Sequence, residues 1–418
     1  MRIARWRVDG DPRIREGVVV GDRVVEFAAG VGVRDLLDAG LARALEAGAE
    51  AEARMTEADP LLADVTLLPP LRPATIRDFV TFEEHVEGMT AAVGGVPPEW
   101  YELPTFYFTN PHSVLATGDV VIPPAATRRL DFELEVAAVV GGVPGRDGAH
   151  LAPADAGAHI FGYTIMNDWS ARDVQVREMA VRLGPCKGKD FATTLGPVLV
   201  TADEVADRVD ADGFLQLELE VIVNGATIGT DLLGNMGWTF PELVAYASRD
   251  TRVVPGDVLG SGTAGRGCLG ELWGRAGETV PPPLQPGDEV VLRVERLGEV
   301  RNVVGEPRPT PDIPPARPAS RIVLAGFSQG GAVAVQALRV DPDAVSFVVV
   351  LAGYAAGGEL PGDEVLAARR PPVFWGRGAA DDVIPPALVD QTAQWLPVHS
   401  ELSGRVYPGL THSISQDE

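Results

Sequence analysis

At 418 residues and 45% hydrophobic, the chain can bury a sizeable core and is too long for one ordinary domain, which implies two or three. A formal net charge of -24 argues against nucleic acid or an anionic membrane as partner. Cys186 and Cys268, the only cysteines, exclude a disulfide framework and fit a reducing cytoplasm. No apolar run is long enough to span a membrane, and the basic first residues lead into no apolar signal segment.

Residues 1–70 predict a small α+β lobe, with strands at 17–20 and 23–27 around a Gly21-Asp22 turn and a helix over 33–54. Pro69-Pro70 closes it. In the next segment Asp78 and His85 lie two turns apart if 76–85 is helical; by itself that segment fits a solvated helix face. Residues 130–136 alternate strictly and predict a strand running on into an apolar 137–140. Its acids share one side, so Glu133 and Glu135 enter a core as neighbouring like charges. A cation between them is the favoured reading over an exposed strand face.

An apolar strand at 161–166 runs into Asn167-Asp168-Trp169-Ser170-Ala171-Arg172-Asp173-Val174-Gln175. Two readings are open there: a helix N-terminus capped by Asp168 or Ser170, or buried charges held by partners or a metal. Lys187 and Lys189 are the only lysines in a chain whose other cations are arginines, which points to chemistry a guanidinium does poorly, at Lys189 above all. Further strands are predicted at 191–200, 215–223 with an Asn224-Gly225 turn, 258–263 and 289–296, together a mainly-β roll or sandwich. A proline-rich linker over 307–320 then gives way to parallel α/β patterning, with strands at 321–325, 346–351, 372–375 and 401–407.

Several ordered blocks carry a resemblance: Asn167 to Gln175; Leu183-Gly184-Pro185 followed by Gly188-Lys189 and Thr193-Thr194; Gly260-Ser261-Gly262-Thr263; and Leu269-Gly270-Glu271-Leu272. Through them residues 72–306 resemble the fumarylacetoacetate hydrolase family, and its fumarylacetoacetase branch most. The resemblance implies a divalent cation on Asp78, Glu133, Glu135 and Asp168. Four carboxylates with no His or Cys suit a hard ion, Mg²⁺ or Ca²⁺. It implies His85 as general base oriented by Glu271, with Lys189, Gln175 and Arg172 facing a developing oxyanion. Tyr107 and Thr263 match substrate-contacting positions, whereas Met179 stands where the branch has a tyrosine. No arginine follows His85 closely, and 109–112 also differ from the branch, so a less anionic substrate is expected. The implied reaction is hydrolysis of a carbon–carbon bond in a 1,3-diketo or acylpyruvate-type acid by a cytoplasmic homodimer. Decarboxylase, isomerase and hydratase chemistry on keto acids are the alternatives within the family.

Farther on, Gly326-Phe327-Ser328-Gln329-Gly330 has the form of a nucleophile elbow, with Asp381 in a following acid loop and His412 in a histidine loop. Residues 321–418 thus resemble the second half of a carboxylesterase/phospholipase-type α/β-hydrolase. The strands and oxyanion loop expected ahead of such an elbow are missing. The expectation is an incomplete α/β domain without hydrolase activity, a fusion remnant or docking surface, with an open sheet edge at 321–325. A serine esterase built on Ser328, Asp381 and His412 is the alternative.

Overall fold

The computed structural model describes residues 1–91, 94–314 and 322–416. They divide into two compact units, Met1–Pro311 and Asp312–Glu418. Much of the expected linker lies outside the described residues, as does Arg321. Among the described residues no helix is long and apolar enough to cross a membrane.

The first unit is built on an eleven-stranded sheet and a five-stranded sheet. The Leu134–Val140 strand is central to the large sheet. It pairs antiparallel with Ile160–Asp168 on one side and Val258–Gly260 on the other. Side chains alternate between the faces of a strand. Leu134, Val136 and Ala138 therefore pack into one core with Leu219, Val221, Val290 and Leu292 of the five-stranded sheet. Ala137 and Val139 pack on the other face, with Leu36, Leu37, Ala44 and Ala47 of two N-terminal helices. A mainly-β sandwich with helices on its outer face fits the roll or sandwich expected.

The first seventy residues form no lobe of their own. The Arg2–Val8 strand pairs with Thr193–Thr201, so the N-terminal strands extend the large sheet, and Ile3 and Val18 share a core with Ile76 and Val139. The helix expected over 33–54 is two, Val33–Ala39 and Leu41–Glu52. Gly40 breaks it at φ +91, where an added Cβ would lie 2.3 Å from the Gly142 carbonyl oxygen.

Residues 76–85 are not one helix, and neither Asp78 nor His85 is on a solvated face. Ile76–Phe79 is a strand pairing parallel with Val258–Gly260 and antiparallel with Phe106–Thr109, and the helix is Glu83–Thr90. The strand expected over 130–140 is interrupted at Phe132 and Glu133, between Leu130–Asp131 and Leu134–Val140. Neither Asp168 nor Ser170 caps a helix: Asp168 ends a strand, Ser170–Ala171 pairs with Leu130–Asp131, and the Arg172–Met179 helix begins after Ala171.

The second unit is a parallel four-stranded sheet in chain order: Ile322–Phe327, Val345–Leu351, Pro372–Gly378 and Glu401–Tyr407. Helices Gln329–Val340, Asp363–Arg369 and Pro386–His399 connect the strands. Arg339 is fully buried. It donates to Asp363 (2.8 and 2.7 Å) and to the Ala356 and Gly358 carbonyls, and its guanidinium stacks on Trp395. Among the described residues Ile322–Phe327 is paired on one side only, with Ile322 51% and Val323 57% exposed, as expected of an open edge.

Candidate functional site

Strand register assembles the first site. Gly260 sits opposite Asp78 on one neighbour and Ala137 on the other, and Glu135 sits opposite Met166. Glu135, Asp78 and Asp168 thus come to the same sheet face, where Gly260 leaves room: a Cβ there would meet Glu135 Oε2 at 2.8 Å and Asp78 Oδ1 at 3.0 Å. Glu133 follows on the same side, its backbone N–H donating to Asn167 Oδ1 at 3.0 Å. All four acids are buried. Oxygens of Asp78, Glu133 and Asp168 lie within 4.8 Å of one another.

Lys189 Nζ bridges Glu133 Oε2 (2.6 Å) and Asp168 Oδ2 (2.5 Å), and the Tyr107 hydroxyl donates to that same Asp168 oxygen. Arg172 is within 2.7 Å of Glu133 Oε1 and 2.8 Å of Asp131 Oδ2, and donates to Gln175 Oε1 at 3.3 Å. Its Nε and Nη1 donate inside the site, to Asp131 and Gln175. Burial works against charge on Glu133, but Lys189 and then Arg172 overrule it and hold that carboxyl below its usual range. Burial would likewise strip the Lys189 proton, and Asp168 with Glu133 keep it on. Nothing so cationic serves Asp78 and Glu135. Burial pushes both well up, and the two lie in hydrogen-bond contact. Buried carboxyls that close need a shared proton or a cation.

The residues fit a divalent ion. The donor set is all carboxylate, and Asp78 Oδ1, Glu135 Oε1 and Asp168 Oδ1 are buried without a hydrogen-bond partner.

His85 enters from the Glu83–Thr90 helix, which packs on Leu269–Ala276 through two glycines. A Cβ on Gly274 would be 2.1 Å from the Gly88 carbonyl oxygen, and one on Gly88 would be 2.3 Å from Glu271 Cγ. That approach sets His85 Nδ1 3.5 Å from Glu271 Oε2 and 3.8 Å from Cys268 Sγ. Glu271 also accepts from the Arg266 backbone (2.8 Å) and Arg275 Nε (3.0 Å). Burial opposes its charge, yet His85 and Arg275 keep its carboxyl below the usual range. Thr263 is buried, next to Gly262, whose N–H donates to Glu135. Met179, by contrast, is 51% exposed at the end of its helix.

Asp131 and Cys268 belong to this site and were not among the expected residues. Fully buried Asp131 accepts from the Leu269 and Gly270 N–H groups (2.8 Å each), the first turn of the Glu271 helix, as well as from Arg172. A carboxylate there satisfies helix-end donors. The alternation that singled out Glu133 and Glu135 puts Asp131 on their side, so the signal was present. For Cys268 there was none, since the contact that brings it into the site is with remote His85. Burial pushes its thiol up.

In the second unit Ser328 occupies a sharp turn at φ +58 between strand and helix, its N–H donating to the Leu351 carbonyl at 2.8 Å. His412 Nε2 is 2.8 Å from Ser328 Oγ, and Nδ1 is 2.9 Å from Asp381 Oδ2. The other Asp381 oxygen accepts from the Val383 and Ile384 N–H groups. A cleft of about 260 Å³ adjoins Asp381, lined by Gly353, Arg377, Ile384 and Val389 among others. The three residues expected to form a triad are thus within hydrogen-bonding distance.

Fold and site together define the first unit as an enzyme of the fumarylacetoacetate hydrolase class, and comparison with known proteins agrees. Residues 74–305 match the family model for the fumarylacetoacetate (FAA) hydrolase C-terminal region, so the chain belongs to the fumarylacetoacetate hydrolase family. Residues 299–418 match the phospholipase/carboxylesterase family model, which bears out the fusion. Fumarylacetoacetase of Oryza sativa subsp. japonica is 30% identical across 58% of this chain and 68% of its own length. An oxaloacetate tautomerase of Bacillus subtilis (strain 168) is 31% identical across 49% of this chain and 62% of its own. Among solved structures, fumarylacetoacetate hydrolase from Exiguobacterium antarcticum matches at TM-score 0.52 and 26% identity, covering 73% of this chain and 99% of that one. A maleylpyruvate hydrolase from Sphingobium sp. SYK-6, in complex with manganese(II) ion and pyruvate, shares the fold at TM-score 0.54 and 24% identity, covering 74% of this chain and 100% of that one.

Proposed function

We propose that the first unit is a divalent-metal-dependent hydrolase that cleaves a carbon–carbon bond in a 1,3-diketo or acylpyruvate-type acid. One observation carries the reading: the carboxylate-backed imidazole of His85 beside buried acids whose oxygens lack partners. Asp78, Glu133, Glu135 and Asp168 would hold the cation, Mg²⁺ or Ca²⁺ on the hardness of the donors, and when bound it supplies Lewis acidity and offsets charge on the substrate oxygens. His85, oriented by Glu271, takes a proton from water. The hydroxide adds to the acyl carbonyl, Lys189 and Gln175 steady the charge on its oxygen, and the bond to the methylene carbon breaks. The proton held by His85 returns to that carbon, leaving a carboxylic acid and a keto acid. Arg172 and Asp131 position Glu133 and the Glu271 helix, and Tyr107 and Thr263 would contact the substrate. We place the enzyme in the cytoplasm as a homodimer, in keeping with two free cysteines.

The tautomerase relative points to the competing chemistry: proton transfer on a keto acid with no bond cleaved. Turnover of acylpyruvates, fumarylacetoacetate and oxaloacetate with Mg²⁺ tests the choice. Release of two acids from a diketo acid supports hydrolysis; enol–keto interconversion alone refutes it.

For the second unit we propose serine esterase activity, carried by the Ser328–His412–Asp381 distances. This takes the serine-esterase alternative over the inert half-domain. Hydrolysis of a short-chain ester that survives chelation and is lost in Ser328→Ala supports it; an ester rate equal in the two proteins refutes it.

A further inference from the structure

One buried side chain in the first unit, Cys268, serves no purpose in the reaction above, and it clusters with two that do. His85, Glu133 and Cys268 are all buried, and each offers a donor atom within 4.8 Å of the other two. The cluster shares Glu133 with the all-oxygen set but adds nitrogen and sulfur. Cys268 has no role in water activation: its sulfur accepts from the Glu271 N–H at 3.3 Å and otherwise faces the imidazole.

We propose that His85, Glu133 and Cys268 form a second cation site, selective for a borderline-soft ion such as Zn²⁺, and that its occupation switches the enzyme off. The dimensions fit. With zinc–sulfur and zinc–nitrogen bonds of roughly 2.3 and 2.0–2.1 Å in tetrahedral array, sulfur and nitrogen stand about 3.6 Å apart. Cys268 Sγ and His85 Nδ1 stand 3.8 Å apart. Three protein donors with one open position is how zinc is commonly held where it also meets solvent or a ligand, and thiolate with imidazole favours zinc over Mg²⁺ or Ca²⁺. The thiol proton leaves for solvent as sulfur binds, and no electron is transferred.

Charge around the cluster decides whether a second dication is tolerated. Arg172 and Lys189, both on Glu133, oppose it, as does Arg275 beyond Glu271. Asp131, Glu271 and the thiolate favour it, as do Asp78 and Asp168, whose oxygens lie within 4.8 Å of Glu133. An ion binding Glu133 must loosen Arg172 or Lys189. Arg172 is the easier to release, since Asp131 and Gln175 still hold it. The consequence for activity rests on the proposed role of His85: an imidazole nitrogen tied to zinc no longer leans on Glu271, and the base is lost.

Cobalt(II) makes the site visible without any substrate, because a cobalt–thiolate bond absorbs in the near ultraviolet. Co²⁺ is titrated into the full chain already saturated with Mg²⁺. A charge-transfer band is expected that persists in Cys186→Ser, vanishes in Cys268→Ser, and is displaced by equimolar Zn²⁺. Absence of the band from Cys186→Ser overturns the proposal even if Cys268→Ser fails to fold. So does a band removed by raising Mg²⁺ alone, since a site with thiolate and imidazole donors should hold cobalt against a hard ion. With a turned-over substrate, the Zn²⁺ concentration for half-inhibition at saturating Mg²⁺ should rise about tenfold or more in Cys268→Ser. An unchanged value refutes the inhibitory role and leaves the spectroscopic result to judge the site.

Discussion

The two units each set a carboxylate behind a histidine and use the pair differently. In the second, the far nitrogen of His412 meets Ser328 Oγ at 2.8 Å, so the nucleophile belongs to the chain. In the first, His85 has Glu271 behind it and buried acids in front, and the proposed nucleophile is water. Burial differs as much. The first site is buried on the face of the large sheet that Ala137, Val139 and Met166 share, away from the second sheet, where its charges survive only by mutual pairing. The second gathers at the ends of parallel strands, where two short contacts join its three residues. Elaborate burial suits an ion and a chelating substrate, whereas a half-buried elbow suits a nucleophile that must reach an incoming ester.

The sharpest break in that contrast comes from His85→Ala. Turnover of a diketo acid should fall on the order of 10²–10⁴-fold while calorimetry still detects divalent-ion binding, and ester hydrolysis by the second unit should be untouched. Retained turnover would remove His85 from the chemistry. Chelation with EDTA draws the same line without mutation: diketo-acid activity should vanish and ester hydrolysis persist. Loss of both, or of neither, would erase the distinction.

A smaller effect separates pairing from packing. Asp131→Ala leaves Arg172 buried with one partner fewer and strips two helix-end N–H groups of their acceptor. The first unit should lose about 3–5 kcal/mol, read as a lower denaturant midpoint, with the midpoint of the second unit unchanged. A change below 1 kcal/mol would mean that water or Glu133 compensates. The smallest effect is acid sensitivity in the second unit. Arg339 holds the Asp363 carboxyl below its ordinary range, so Asp363 contributes stability that is fully present above the unfolded value near pH 4 and is lost as pH falls through the lower folded value. Asp363→Asn should flatten the acid limb of the second unit's thermal midpoint below about pH 4. An unaltered limb would place its acid response elsewhere.

Some of what a short stretch carries was legible, although Gly40 divides the helix expected over 33–54 and the expected strand breaks at Phe132 and Glu133. Alternation over 130–136 put acids on one side of a buried strand, the Asn224-Gly225 turn marked a hairpin, and the strand–Gly-x-Ser-x-Gly–helix pattern marked the elbow. These depend on backbone period and on which residues tolerate a turn, both properties of a short stretch. Asp78 was misjudged because its strand exists only through partners at 106–109 and 258–260. The break at Phe132 and Glu133 lies beside Asp131, which is held by a helix that begins 138 residues later.

The amino-acid order alone therefore determined the periodic elements, the family and the kinds of group at each site, since composition and spacing carry those. Only tertiary structure decided which charges meet: that Lys189 sits between Glu133 and Asp168, that Arg172 is committed to Asp131, and that Cys268 faces His85. Sheet register and the glycine-tight contact of two helices set those distances, and no local window holds both partners of either.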